Sequence, residues 1–369
     1  MDMNKQLKVI ISGGGTGGHI FPAISIANAI KLRYPDAKIL FVGAEDRMEM
    51  TRIPAAGYEI VGLPVAGFDR SNLFKNIKVI RKLLTSLFRA NKVVNNFKPD
   101  VAIGVGGYAS GPLLKIASRK GIPTILQEQN SYAGVTNKLL AKNASKICVA
   151  YEGMEAFFPK DKIVLTGNPC RQDLSSDVSK EEAYRFFKLD PMKKTILIVG
   201  GSLGAKTINQ SVMRHLELLK DSGVQILWQC GKRYQYELSI DLSQKEANND
   251  IYLYDFIERM DYAYKVADLV VSRAGAGSIS ELSLLGKPSI LVPSPNVAED
   301  HQTKNAMALV DKAAAILIKD KDAPDELLKA ALSLVKDSSL LKMLSEHILD
   351  MAHPDAANRI VDEIEKLVN

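Results

Sequence analysis

The sequence predicts an α/β protein of two domains, each built on a doubly wound parallel sheet, and three observations lead there. Short apolar runs ending in glycine-rich turns recur along the chain, and a helical pattern follows each turn. The run–turn–helix plan of the first half returns in the second. The length, 369 residues, is about two domains' worth, and the 46% apolar content supplies two cores. Charged residues at 24% and aromatics at 7% place the chain among ordinary soluble globular proteins. The net charge of +6 means little by itself, and its distribution matters more. Cys148, Cys170 and Cys230 lack CxxC or CxxH spacing, so neither a disulfide framework nor a zinc site is expected, which suits a reducing cytosol. The first residues carry an apolar core too short for a secretory signal, and no apolar run approaches a membrane span. An integral or secreted protein is therefore not expected.

Leu7–Ile11 reads as a strand running into Ser12-Gly-Gly-Gly-Thr16-Gly-Gly-His19. Ile20–Arg33 follows as a helix with an apolar stripe at Ile20, Ile24, Ala27 and Ile30, then Lys38–Val42 as the next strand. Gly13, Gly15 and Gly18 match the dinucleotide fingerprint G-x-G-x-x-G, but a lone match is weak. Glu45 stands 27 residues past Gly18, whereas a ribose-binding acid usually follows after about 20. His19 comes directly after the last glycine. It is either a cleft-facing imidazole at a helix start or a solvated turn histidine.

Arg70–Lys98 holds eight Lys or Arg and no Asp or Glu. Apolar positions 73, 77, 80, 84, 87 and 88 recur at helical spacing, which predicts an amphipathic helix lying on the core. The lack of acids equally suits a surface that meets anionic lipid. Asp100–Val105 is a buried strand followed by a second glycine turn, Gly106-Gly107-Tyr108-Ala109-Ser110-Gly111-Pro112. Pro123–Leu126 delivers Gln127-Glu128-Gln129-Asn130 at a strand end. The two turns and this cluster are expected to line one rim, at the carboxyl ends where open α/β sheets bind ligands. Ile147–Ala150 and Ile163–Leu165 close the sheet, and Gly167-Asn168-Pro169 is turn chemistry suited to a hinge.

Thr195–Val199 opens the second half and runs into Gly200-Gly201-Ser202-Leu203-Gly204-Ala205. This turn misses a Walker A loop by one residue, because Ala205 stands where that loop needs a glycine. Strands at Gln225–Gln229 and Ile251–Tyr254 follow, the latter ending in Asp255-Phe256-Ile257. Leu269–Val271 then leads into Ala274-Gly275-Ala276-Gly277-Ser278 and a helix, with a further strand at Ser289–Val292. Small residues there let a ligand approach the backbone, and helix-start N–H groups favour an anion. Glu281 either accepts from a ribose diol or closes a Ser278-x-x-Glu281 capping box. The polar run Glu299-Asp300-His301-Gln302 at the next strand end favours the ribose, because its groups suit sugar hydroxyls. Ala315–Ile318 is a last strand. Asp320-Lys321-Asp322 has a metal-binding spacing but lies among alternating charges, as a solvated loop does.

Eight motifs in order carry a resemblance that spans the whole chain. They are GGGTGGH at 13–19, GVGGYASGP at 104–112, QEQN at 127–130, GNPCR at 167–171, GGSLGA at 200–205, FIERM at 256–260, SRAGAGSISE at 272–281 and HQTKNA at 301–306. The chain resembles the MurG family, membrane-associated N-acetylglucosaminyltransferases of peptidoglycan synthesis. The resemblance implies a GT-B fold, two Rossmann-like domains facing across a cleft. It implies an acceptor domain at 1–167, with a C-terminal helix at about 355–369 packed back on it, and a donor domain at 168–354. The implied reaction is inverting transfer of GlcNAc from UDP-GlcNAc to the C4 hydroxyl of the muramyl sugar in lipid I, giving lipid II.

By the same resemblance, Ile257 would lie against the uracil, Ala276, Gly277 and Ser278 would surround the nucleotide, and Glu281 would take the ribose. Ser202 and Arg171 would hold the diphosphate, and His301 and Gln302 would read the GlcNAc hydroxyls. Thr16, Gly17, Gly18 and Asn130 would reach the donor sugar. Gly14, Gly15, Gly106, Gly107 and Tyr108 would take the lipid I diphosphate. His19 is the candidate general base, with Glu128 as second choice. Gln127 stands where some family members have His, and His301 where some have Gln. No metal or cofactor is obligatory, a divalent cation being at most stimulatory, and no nucleic acid partner is implied. The expected location is the cytoplasmic face of the bacterial membrane, with segment 70–98 against its anionic surface. Another GT-B transferase with a lipid acceptor and a NAD-type oxidoreductase are the rival classes.

Overall fold

A computed structural model of the chain describes residues 6–67, 76–170, 174, 178–201, 203–220, 222–244 and 250–368. Arg171, Ser202 and residues 70–75 of the basic segment lie outside them. By its contacts the chain divides into two units, Met1–Arg171 with His353–Asn369, and Gln172–Ala352.

The first unit is a sheet of β1 (Lys8–Gly13), β2 (Lys38–Ala44), β3 (Glu59–Leu63), β4 (Val101–Gly106), β5 (Thr124–Glu128), β6 (Lys146–Val149) and β7 (Ile163–Leu165). All pairs are parallel, in the order β3-β2-β1-β4-β5-β6-β7. Central strands of such a sheet are covered on both faces, which is why they read as unbroken apolar runs. Successive side chains on β1 point to opposite faces. Val9 and Ile11 join a core with Ile20, Ala27 and Ile30 of the helix Gly17–Arg33 and with Ile360, Val361 and Ile364 of the helix Ala356–Val368. Ile10 joins the opposite core, with Ala90, Val94, Leu113 and Leu126.

Neighbours diverge on either side of β1, so its crevice with β4 is the switch point, where such sheets bind ligands beyond the strand ends. The β1–β4 register runs Ser12↔Gly104 and then Gly13↔Gly106, leaving Val105 as an extra residue. This bulge brings the second glycine turn level with the first. Edge strand β3 and the short helix Glu49–Ala55 were not foreseen. Most of β3 is only half-buried, and Pro54 sits inside a helix of 7 residues, so neither has a clear period.

The helix Asn76–Phe97 corrects the expected core stripe. Val79, Ser86, Ala90 and Val94 are buried, whereas Ile80, Leu84 and Phe88 are 50%, 62% and 73% exposed. These three, four residues apart, share one face with Leu83, which is also exposed.

The second unit is a parallel sheet of β8 (Lys194–Val199), β9 (Val224–Gln229), β10 (Ile251–Tyr254), β11 (Leu269–Ser272), β12 (Ser289–Leu291) and β13 (Ile316–Leu317). Its order is β10-β9-β8-β11-β12-β13, which puts the switch point between β8 and β11. Trp228, Ile198, Val271 and Ile290 are central in its core. The buried indole N–H of Trp228 donates to Asn209 at 3.1 Å, and Asn209 donates to the Cys230 carbonyl at 3.0 Å, so no polar group is stranded there. No helix of the described residues is long and apolar enough to cross a membrane.

Candidate functional site

At the mouth of β1 the chain passes through Gly14 and Gly15 to Thr16, the extended N-cap of the helix Gly17–Arg33. Gly17 and Gly18 supply opening N–H groups of that helix, where an anion is favoured. His19, one turn in, is half-buried, and its Nδ1 lies 2.9 Å from the Gly14 carbonyl oxygen. A carbonyl only accepts, so Nδ1 carries the proton and donates. The lone pair of the neutral ring is thereby on Nε2. The ring packs on Gly106, whose φ is +105°, and a Cβ there would come within 2.8 Å of Nε2. Gly107 lies against the backbone of Gly14. Ser110 fastens the two turns by donating to the Ser12 carbonyl at 3.0 Å and the Gly106 carbonyl at 2.8 Å. Tyr108 is 61% exposed and lies beside Gly67.

Of the polar cluster expected to line the rim, Gln127 and Glu128 end β5, and Gln129 and Asn130 follow it. Gln127, Glu128 and Gln129 are buried, and Asn130 alone is partly exposed. Glu128 Oε1 accepts from Asn130 N and Nδ2, both at 3.2 Å. Its Oε2 accepts from Gly134 N and Asn137 Nδ2, both at 2.9 Å. Gln129 donates to the Val105 carbonyl at the bulge and to Gln127 Oε1. Both oxygens of Glu128 are occupied in holding the loop that presents Asn130.

In the second unit, Gly201 and Gly204 of the turn after β8 have φ of +85° and +77°. Gln229, buried at the end of β9, donates to the Gly201 carbonyl at 3.1 Å and accepts from Ile257 N at 2.8 Å, linking this turn to the loop after β10. Ile257 has its side chain buried, and the exposed member of that pair is Phe256. A flat base would therefore meet Phe256 or the backbone before the Ile257 side chain.

After β11, the helix Ala276–Leu284 is capped by Gly275, with no side-chain cap. Ser278 is thus inside the helix, and the capping box is not formed. Glu281 Oε2 instead accepts from the buried Tyr264 hydroxyl at 2.9 Å, which aims the carboxylate. Ala276, Gly277 and Ser278 form the first turn, and Gly277 has open space where a side chain would stand. His301 and Gln302 begin the helix His301–Val310, and Gln302 Oε1 accepts from Ser294 N at 2.8 Å. Arg273 donates to the Val292 carbonyl at 3.0 Å and pairs with Asp320, which also accepts from Thr207 at 2.6 Å. Asp320 is therefore part of the scaffold under the turn and not a partner of Asp322 in a metal site. No group of three or more metal-ligating side chains occurs among the described residues. Burial pushes the thiols of Cys148 and Cys230 up to about 12 and about 11, so neither is a reactive thiolate.

Three residues were missed. Gln229 and Tyr264 act through partners 17 or more residues away, and nothing local in the sequence marks them. The third, Glu49, is wholly buried under the first glycine turn.

Residues 9–149 match the family model for the glycosyltransferase family 28 N-terminal domain, and residues 195–360 match the C-terminal domain. A protein of Parabacteroides distasonis is 63% identical over 366 residues, 99% of each chain. One of Bacteroides thetaiotaomicron is 59% identical over 367 residues, again 99% of each. Both are named UDP-N-acetylglucosamine--N-acetylmuramyl-(pentapeptide) pyrophosphoryl-undecaprenol N-acetylglucosamine transferase. Among solved structures, Acinetobacter baumannii MurG is 29% identical, with a TM-score of 0.78 over 98% of this chain and 100% of that one.

Proposed function

The chain belongs to the MurG transferases of glycosyltransferase family 28, and from that premise we propose that it moves GlcNAc from UDP-GlcNAc to the C4 hydroxyl of the muramyl sugar in lipid I, with inversion. The observation that carries the chemistry is the His19 imidazole, held at a helix start with its proton on Nδ1. Nε2 takes the proton of the acceptor hydroxyl, the oxygen attacks the anomeric carbon, and UDP leaves. Helix-start N–H groups, Ser202 and Arg171 meet the charge that builds on the diphosphate. Glu281, aimed by Tyr264, takes the ribose, and the segment of Phe256 and Ile257 takes the uracil. His301 and Gln302, with Thr16, Gly17, Gly18 and Asn130, read the donor sugar. Gly14, Gly15, Gly106, Gly107 and Tyr108 receive the acceptor diphosphate. Glu128 organises its loop, and His19 is the base.

Transfer of labelled GlcNAc from the UDP sugar onto a short-chain lipid I analogue tests the assignment. Product of the diacylglycerol type, with none from lipid I, would replace the acceptor. Glu281→Ala is expected to raise KM for UDP-GlcNAc by about tenfold or more, the loss of a charge-assisted hydrogen bond or two. Its melting temperature should stay within a few degrees. A lower melting temperature with KM unchanged would assign Glu281 to the fold.

The exposed stripe Ile80, Leu83, Leu84 and Phe88, flanked by Arg81, Lys82, Arg89 and Lys92, supports docking on the cytoplasmic face of the bacterial membrane. A basic side chain near an anionic surface contributes about 1 kcal/mol. Reversing Arg81 and Lys82 to Glu is expected to weaken binding to anionic vesicles by at least about tenfold at low salt. Unchanged co-sedimentation would retire this face.

A further inference from the structure

Glu49 opens the helix Glu49–Ala55, has no exposed surface, and has no ion-pair partner among the described residues. A carboxylate so placed is costly unless donors satisfy it. Here they are backbone N–H groups: Ala44 N donates to Oε1 and Gly15 N to Oε2, both at 3.0 Å. The sequence makes room for the side chain. A Cβ on Gly43 would come within 2.6 Å of Glu49 Cγ, and one on Gly14 would overlap its carboxylate.

The Gly15 N–H and the Gly14 carbonyl are the two ends of one peptide group. In a trans peptide they point in opposite directions. On one side the N–H is held by Glu49, and on the other the carbonyl accepts from His19 Nδ1 at 2.9 Å. Resting on the reading of His19 as base, we infer that Glu49 is a positioning residue acting on His19 through this peptide. The buried carboxylate fixes the plane of the peptide, and so the direction of the carbonyl that sets the imidazole tautomer. Hydrogen bonds in such a chain polarise one another. A negative charge on the N–H side makes the Gly14 oxygen a stronger acceptor and stabilises the imidazolium that forms as the hydroxyl gives up its proton. An aspartate bonded to histidine in a hydrolase triad does this directly. In this protein a peptide bond stands between them.

The test combines kinetics with nitrogen NMR of the intact enzyme. Glu49→Gln keeps the shape, but its NH2 faces one of the two N–H donors and the charge is gone. It is expected to lower kcat by about 10- to 100-fold, with KM for UDP-GlcNAc changed less than about twofold. In a His19→Ala background the same change should cost less than about twofold more, because residues that act as one unit are not additive. In the wild-type enzyme above the imidazole titration, the His19 signals, identified by their loss in His19→Ala, should report the Nδ1–H tautomer. In Glu49→Gln they should shift toward Nε2–H. Equal losses in both backgrounds would make Glu49 merely structural, and unchanged kcat would remove it. An Nε2–H tautomer in the wild type would overturn the relay even if Glu49→Gln failed to fold. Full activity of His19→Ala would instead end the base assignment, with the tautomer measurement still judging the link to Glu49.

Discussion

His19→Ala is expected to lower kcat by about 10²- to 10⁴-fold, the usual loss when a general base is removed. The Gly14 carbonyl takes the Nδ1 proton, and the Cβ-less Gly106 leaves room for the other edge of the ring. Alanine keeps the helix start, so the N–H groups of Gly17 and Gly18 remain in place. KM for UDP-GlcNAc should therefore move little, because the uridine and ribose contacts are assigned to residues 256–281. Thermal unfolding should also be nearly unchanged, since the ring is half-exposed and its loss opens no core cavity. Single-turnover kinetics with saturating acceptor separate the chemical step from release. A variant keeping more than about a tenth of kcat would sink the assignment.

Gly204→Ala is expected to produce the largest loss of stability. Its φ is +77°, and a methyl group there would run into the carbonyl oxygen of Cys230. Gly231, at φ +91°, packs its own backbone against Gly204 from the other strand end. Both partners are backbone, so no side chain can swing away. Left-handed strain adds about 1–3 kcal/mol and overpacking a comparable amount, for a sum on the order of 4 kcal/mol. For a unit of this size that is roughly a 10 °C fall in melting temperature. Calorimetry should place the fall in the transition of the unit Gln172–Ala352. A shift under about 2 °C would mean that the turn relaxes where its backbone contacts say it cannot.

The strands and glycine turns were legible because buried parallel strands leave continuous apolar runs and backbone approach leaves glycines. Depth was not legible. Gln127-Glu128-Gln129 reads as a polar cluster lining the rim, but β5 lies inside the sheet and all three are buried, Gln129 bonded to Gln127 and Glu128 to the loop that follows. Helical period in 76–97 was readable, but the docked face was not. The helix packs on the neighbouring helix Ser110–Arg119, with the small Ala90 in one core with Leu113, Leu114 and Ala117, Ser86 buried as well, and the bulkier Leu84 and Phe88 left outside. Glu49 could not be read at all. Its partners lie 34 and 5 residues away, and only the pairing of β1 with β2 brings them to one carboxylate.

The helix Ala356–Val368 fills the same core as the helix Gly17–Arg33, with Ile360, Val361 and Ile364 against Ala23, Ala27 and Ile30. During synthesis, the half of the chain that leaves the ribosome first must wait with a greasy furrow open while some 180 residues of the inserted unit emerge and fold. The part made second is thus the part finished first. A nascent chain stalled just before Ala356 would present that furrow to any chaperone at hand.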